Sequence, residues 1–458
     1  MVSSPLNLEK NRGVLQGSKL GPVLFNVFIN DLLDELGNSG LGAHLGPVHI
    51  PVLGFADDIV LISDDPRKLQ RMIDTCYHWA ARNSMSFNIP KCKVMMFNAP
   101  RDGPPFTLNG EELKVVTSCK YLGVTLTSRY VTNLFRGHYA SIVERVNVRV
   151  AAICRHGFHE DGLRLSTAVR LYKLVVRPLL EYCAQTLSYF RYSQNSCLQE
   201  VTGFAKELEQ LQTRVLKRLV NCPRATSPAV LRLFCGVEPL AGRLEMLKLR
   251  YFWKVLRGPS ESIAHKVLKH RMDNFLGFDK GFAHEVFDIC CKYNCLHFWH
   301  GNAANYKNPL NAMKRVILSQ NFRGDYEVGK GRNCPFASLF LAVSESRKQG
   351  YRLPEVFRQP RCFEAPGGRK RLVRVLLHPC TYDEDCTLCG QKYRDKFGHF
   401  MAACPRIVGY RKSLFLKLRF YDFPVHRLPL SKICFLDLAT RNRIWRSCLA
   451  DFLEKTDF

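Results

Sequence analysis

One stretch constrains this chain more than any other. An apolar run from Ile50 to Phe55 meets Asp57 and Asp58, and a second apolar run, Ile59 to Ile62, follows at once. That pattern reads as strand, tight turn, strand, with the two carboxylates at the turn. Adjacent carboxylates repel each other, so a hairpin tip that carries two of them must be solvated or must hold a cation. A hard divalent ion such as Mg²⁺ prefers oxygen ligands of this kind. Enzymes that transfer phosphoryl groups hold two such ions about 4 Å apart. Taken alone, an Asp-Asp turn is more often just a solvated loop tip, and its neighbours must decide.

Composition narrows the partners. The chain has 458 residues, enough for about two to four domains, and 46% hydrophobic content supports sizeable cores. Its formal net charge of +27 points to a polyanionic partner, of which nucleic acid is the commonest. No apolar run is long enough to span a bilayer; the best, Val23 to Leu33, is broken by Asn26, Asn30 and Asp31. Met1 to Asn7 has no basic segment leading into an apolar one, so it does not read as a secretory signal. The 19 cysteines are odd in number and scattered, unlike a secreted disulfide framework. The expected setting is reducing, nuclear or cytosolic.

Gly13 to Pro22 is a glycine-punctuated loop, and Val23, Leu24, Val27, Phe28 and Leu32 recur beyond it at the spacing of a helix with one buried face. Pro22 suits the first turn of that helix. The amides at such a start favour anions, so the loop is placed to border phosphates.

Here the sequence resembles a known family. Gln16-Gly17-Ser18-Lys19-Leu20-Gly21-Pro22, with Ile29-Asn30-Asp31-Leu32 after it, is similar to the template- and nucleotide-contacting motif of reverse transcriptases, non-LTR (LINE-type) retrotransposons above all. Phe55-Ala56-Asp57-Asp58 resembles their catalytic box. Phe87-Asn88-Ile89-Pro90-Lys91 resembles the next palm motif, and Tyr121-Leu122-Gly123 the primer-grip hairpin. Four motifs stand in the family's order and spacing.

The resemblance implies roles for these residues. Asp57 and Asp58 would hold Mg²⁺ or Mn²⁺, and Gln16, Gly17, Phe55 and Ala56 would shape the nucleotide and template pocket. Tyr121, Leu122 and Gly123 would steady the primer end. Lys91 would meet the phosphates of the incoming nucleotide, although a lone lysine is as readily a solvated charge. The implied partners are an RNA template, a DNA primer or target, and dNTPs, with no membrane. The implied location is a ribonucleoprotein in nucleus and cytoplasm.

A departure from the family counts too. The third metal-binding Asp of such enzymes lies well upstream of the Gln-Gly loop, and here only Glu9 precedes it, in no matching context. Two carboxylates out of three, without the fingers motifs, are expected to leave this chain inactive by itself.

The intervening residues agree with a palm. Leu69, Met72, Ile73, Cys76, Tyr77 and Ala80 predict a helix over Pro66 to Asn83. Val94 to Phe97 reads as a short strand, and Phe106 to Glu111 as a hairpin on the Asn109-Gly110 turn. From Tyr130 the pattern turns helical: Phe135, Tyr139, Ile142, Val146, Val150 and Ile153 recur at helical spacing, then Leu165 to Tyr182 and Lys206 to Val220. In the family this is the thumb beside the template–primer duplex. Prolines and small polar residues between Pro223 and Pro228 suggest a boundary. Beyond it Leu244 to Leu256 is amphipathic and basic, and Cys290, Cys291, Cys295 and His297 read as buried thiols and a histidine rather than a metal site.

Cys386, Cys389, His399 and Cys404 follow the pattern C-x2-C-x9-H-x4-C, a spacing that can enclose Zn²⁺ tetrahedrally, and Gly390 allows the tight turn of the knuckle. Non-LTR elements carry a Cys-Cys-His-Cys motif at this place. A basic, apolar tail follows.

The expected fold is therefore α+β. A partial reverse-transcriptase palm (1–128), an antiparallel sheet with helices, leads into a helical thumb (129–228) and a helical connection (229–375). A small zinc knuckle (376–410) and the tail (411–458) complete it. Two functional readings stay open: an RNA-directed DNA polymerase using two-metal nucleotidyl transfer, or a non-catalytic nucleic-acid-binding derivative of such an element.

Overall fold

A computed structural model describes residues 17–97, 105–128, 135–155, 165–187, 204–220, 222, 224–275, 281–301, 308–330, 384–385, 389–393, 405–410, 413, 414 and 416. In chain order, helix α1 (Gly21–Asn38) precedes strands β1 (Ala43–Leu45), β2 (Val48–Ile50), β3 (Val52–Phe55) and β4 (Asp58–Leu61). Helix α2 (Pro66–Arg82) leads to β5 (Lys93–Val94), β6 (Thr107–Leu108), β7 (Glu111–Glu112), β8 (Lys114–Val115), β9 (Ser118–Tyr121) and β10 (Val124–Thr127). Then come α3 (Arg136–Arg155), α4 (Leu165–Leu171), α5 (Arg177–Glu181), α6 (Phe204–Val220), α7 (Pro228–Cys235) and α8 (Leu240–Leu256). Helices α9 (Ile263–Asp273), α10 (Phe282–Lys292), α11 (Leu296–Trp299) and α12 (Pro309–Lys330) follow, and β11 (Glu384–Asp385) and β12 (Lys392–Tyr393) close the series. The α+β class is observed. The chain forms two units, residues 1–137 with 255–277, and residues 138–254 with 278–458.

In the first unit, α2 holds the layers together. Asp65 caps it by accepting from the amides of Arg67 (2.6 Å) and Lys68 (3.3 Å), and Pro66 occupies its first turn. Met72, Cys76, Trp79 and Ala80 pack with Ile29, Leu32 and Leu36 of α1 and with Val52 of β3. Ile73 turns to a second cluster with Val94, Phe106, Leu108 and Leu113. Gln70 closes the gap between them, since its amide donates to the Thr107 carbonyl (2.8 Å) and its oxygen accepts from the Thr107 amide (3.0 Å). Helix α9 lies against β2, with the His270 ring over Gly46.

Three expectations are corrected here. The described strands form six two-stranded ladders rather than one sheet, and β5–β8 is parallel. The strand expected over Val94 to Phe97 ends at Val94, whose side chain is the one buried in the second cluster, while Phe97 is exposed. The buried face of α1 is Ile29, Leu32 and Leu36, whereas Val23, Leu24 and Val27 stand exposed, Val27 at 68%. From Phe25 onward α1 packs into the core with α2 and β3.

The second unit is helical. Between α4 and α5 the chain makes a π turn over Tyr172–Val176. Pro178 explains it: proline has no N–H to give to the carbonyl four residues back, so the ladder shifts register just before it. Helix α7 ends on Gly236 in the left-handed conformation (φ 60°), with the Val237 amide on the Arg232 carbonyl at 3.0 Å. Residues 224–227 link α6 to α7, which pack on each other, and α12 packs on α7. Buried charges join the helices in pairs: Arg232 with Glu209 and Asp325, Lys248 with Glu285, and Lys292 with Glu245.

Candidate active site

The β3–β4 hairpin carries the paired carboxylates. Its register sets Val52 opposite Leu61, Leu53 opposite Val60, Gly54 opposite Ile59 and Phe55 opposite Asp58, so Ala56 and Asp57 make a two-residue loop. Ala56 turns the corner with φ 51°. Strand alternation then sorts the faces. Val52, Ile59 and Leu61 pack into the core cluster of α1 and α2. Gly54 shares that face, and a Cβ on it would come within 3.2 Å of the Leu33 side chain. The glycine lets helix and ribbon approach closely, a role its place in the motif did not reveal.

The opposite face holds Leu53, Phe55 and Asp58. Phe55 is 63% exposed, and both Asp57 and Asp58 are exposed at the tip. Neither carboxylate joins an ion pair among the described residues. Two solvated carboxylates on consecutive residues, with no lysine or arginine paired to them among the described residues, suit a hard cation. Among the described residues no third metal-ligating side chain joins them.

A second hairpin lies near enough for one carboxylate of this tip to act on it electrostatically. Tyr121 pairs with Val124 across Leu122 (φ 44°) and Gly123 (φ 80°), and both turn residues take the positive φ of a type I′ turn. The half-buried Tyr121 phenol is held above its ordinary range, first by burial and then by the negative charge of Asp58. The charge of Asp58 thus reaches Tyr121. The sequence placed them 63 residues apart, in separate motifs.

Other predicted site residues are more dispersed. Lys91 ends a 3₁₀ turn (Ile89–Lys91), exposed, and forms no ion pair with Asp57 or Asp58. Gly17 is exposed just ahead of α1, and Gln16 lies outside the described residues. Ser18 Oγ accepts from the Leu20 amide at 3.2 Å, which shapes the entry to the helix. Of the proposed zinc ligands, Cys389 lies in the β11–β12 connection beside Gly390 (φ 70°), while Cys386, His399 and Cys404 fall outside the described residues. Cys290 and Cys295 are buried as expected, and Cys291 is exposed. No described helix is long and apolar enough to cross a membrane.

The carboxylate hairpin thus stands on a helix-backed α+β scaffold. Residues 5–126 match the reverse transcriptase (RNA-dependent DNA polymerase) family. The chain is 32% identical over 206 residues to the RNA-directed DNA polymerase from mobile element jockey of Drosophila funebris, covering 42% of this chain and 22% of that protein. It is 35% identical over 127 residues to the Pol polyprotein from retrotransposable element R2 of Popillia japonica (25% and 21%). It is 24% identical over 269 residues to that of element R1 2 of Nasonia vitripennis (54% and 58%). Residues 5–126 thus carry the reverse-transcriptase match, and the relatives to which the chain is similar are polymerases of the non-LTR, LINE-type elements jockey, R1 and R2. It spans about a quarter of the length of the jockey polymerases it matches.

Proposed function

We propose that this chain carries the catalytic hairpin of an RNA-directed DNA polymerase, with Asp57 and Asp58 as ligands of Mg²⁺ or Mn²⁺. The observation that carries the reading is the hairpin tip itself, where two carboxylates stand exposed on consecutive residues with no ion-pair partner among the described residues, and where the charge of Asp58 reaches Tyr121. A bound divalent ion would supply activation of an attacking hydroxyl and neutralisation of phosphate charge. Tyr121, Leu122 and Gly123 would steady the primer end beside that tip. Phe55 and Ala56, with Gln16 and Gly17, would border template and nucleotide, and Lys91 would meet phosphate. The partners are an RNA template, a DNA primer and dNTPs, which the +27 charge favours electrostatically. Cys386, Cys389, His399 and Cys404 would hold one Zn²⁺, a reading supported by their spacing and by the positive φ at Gly390. The place of action would be a ribonucleoprotein of nucleus and cytoplasm.

The test is nucleotide incorporation by the full chain on a primed RNA template with Mg²⁺ or Mn²⁺. Incorporation abolished by Asp57→Asn supports the polymerase reading. Salt-sensitive RNA binding without incorporation, unchanged by Asp57→Asn, supports a non-catalytic binder instead. Zinc content is a separate readout: one molar equivalent lost on Cys389→Ser supports the knuckle, and a metal-free wild-type chain overturns it.

A further inference from the structure

The turn between α10 and α11 gathers three cysteines that the polymerase reading does not use. Cys290 lies in the last turn of α10 and is 0% exposed; Cys295, just before α11, is 4% exposed. The chain reverses between them, so the Cys295 amide donates to the Cys290 carbonyl at 2.8 Å. Their side chains are neighbours as well, and the Cys295 thiol donates to the Met313 sulfur of α12 at 3.9 Å. The Trp299 amide donates to the Cys290 sulfur. Cys291, next in sequence, faces solvent, close enough to Cys295 to feel its charge.

We propose that Cys290 and Cys295 are a redox site that closes to an intrachain disulfide, with Cys291 as the thiol that oxidants in solution reach first. A backbone hydrogen bond across the turn holds the two chain segments within the reach of a disulfide, and the two thiols are near neighbours. Cys290 and Cys291 cannot serve as the pair, because consecutive helical residues point about 100° apart.

With a peroxide ROOH the chemistry balances in three steps. Cys291 sulfur attacks the O–O bond and becomes a sulfenic acid, releasing ROH. The Cys295 thiol displaces the hydroxyl as water, which joins Cys291 to Cys295. Cys290 sulfur then attacks Cys295 sulfur, and Cys291 leaves and takes up the proton. Two thiol protons and two electrons have passed to the peroxide. Burial and the neighbouring Asp288 carboxylate hold the Cys291 thiol above its ordinary range, so the reaction is slow and answers sustained oxidation. Closure pins the turn that presents Tyr293, whose hydroxyl donates to buried Glu245 at 2.5 Å.

The sequence makes the test simple, because Lys292 separates the partners for trypsin. The full chain is treated with hydrogen peroxide, its remaining thiols are alkylated, and the digest is read by mass spectrometry without reduction. Peptides 281–292 and 293–307 should travel joined through Cys290 and Cys295, with Cys291 alkylated. Cys291→Ser should slow the joining several-fold, and Cys295→Ser should abolish it. Separate peptides in the wild type, with only Cys291 oxidised, would overturn the proposal. So would peptides joined solely through Cys291. The wild-type result decides even where a variant folds poorly.

Discussion

Asp58 opens β4 and Tyr121 closes β9, and the charge of the first reaches the phenol of the second. Burial is the larger cause of the raised phenol, and the carboxylate adds to it. The pair therefore reports on whatever binds at the hairpin tip. Asp58→Asn should lower the Tyr121 phenol toward its ordinary value of about 10. If Asp58 ligates Mg²⁺, adding the ion to the wild type should move it the same way, because the cation offsets the carboxylate charge. The readout is phenolate absorbance against pH, with Tyr121→Phe subtracted to isolate one tyrosine among 17. A phenol that ignores saturating Mg²⁺ and Mn²⁺ would remove Asp58 from the metal site.

Gly54 fixes how closely the catalytic ribbon lies on α1. An added Cβ would stand 3.2 and 3.3 Å from the two Leu33 methyls, tighter than ordinary contact, and a branched side chain would crowd them further. Gly54→Val should cost about 1–3 kcal/mol in denaturant unfolding, as overpacking does. Adding Leu33→Ala should recover part of that loss. Two costs that simply add would mean the crowding lies elsewhere.

The hairpins were legible in the sequence because their turns announce themselves. Asn109-Gly110 and Leu122-Gly123 put glycine where φ is positive, and Asp57-Asp58 interrupt two apolar runs. Helix α2 was legible too, since Pro66 and the apolar spacing mark its start and its face, though Trp79 joined the core unforeseen. Helix α1 was misread for a physical reason. Periodicity shows that residues share a face, but not whether anything covers it, and Val23, Leu24 and Val27 remain uncovered among the described residues. The electrostatic link of Asp58 to Tyr121 was hidden as well, because no local pattern encodes which hairpins lie near each other. Buried pairs such as Arg232 with Asp325 were invisible for the same reason: each residue reads as an ordinary surface charge.

His138 makes the fold acid-sensitive. Its ring is buried in α3, and neither ring nitrogen has a hydrogen-bond partner among the described residues. Burial first, and the Arg145 charge second, hold its pKa below the ordinary imidazole value. A depressed pKa means that folding favours the neutral ring. Its contribution is whole above about pH 6.5 and is lost as the pH falls from there through the folded value. His138→Leu should flatten the loss of stability in that window, measured by urea melts on either side of it. An unchanged pH slope would place the sensitivity elsewhere.

Arg232 shows how much the second unit depends on one guanidinium. It grips both oxygens of Asp325, with Nε at 2.7 Å from Oδ2, while Nη1 donates to Glu209 Oε1 at 2.8 Å. The other Glu209 oxygen accepts from the Ala241 amide at 2.9 Å, so the cluster joins α6, α7, α12 and the start of α8. Burial pushes the Glu209 carboxyl up, and Arg232 is the chief opposing influence. Arg232→Met should therefore cost about 3–5 kcal/mol, chiefly because two carboxylates stay buried without their cation. The sign of the pH effect identifies the cause. In the variant the Glu209 carboxyl, freed of its chief opposing influence, should titrate above its unfolded value, so the penalty is full at neutral pH and is relieved as the pH falls. Unfolding measured from neutral to mildly acidic pH should show the gap to wild type narrowing. Asp325→Leu added to Arg232→Met should narrow it further at neutral pH. A gap that stays constant across pH would show that Arg232 acts through its packing rather than its charge.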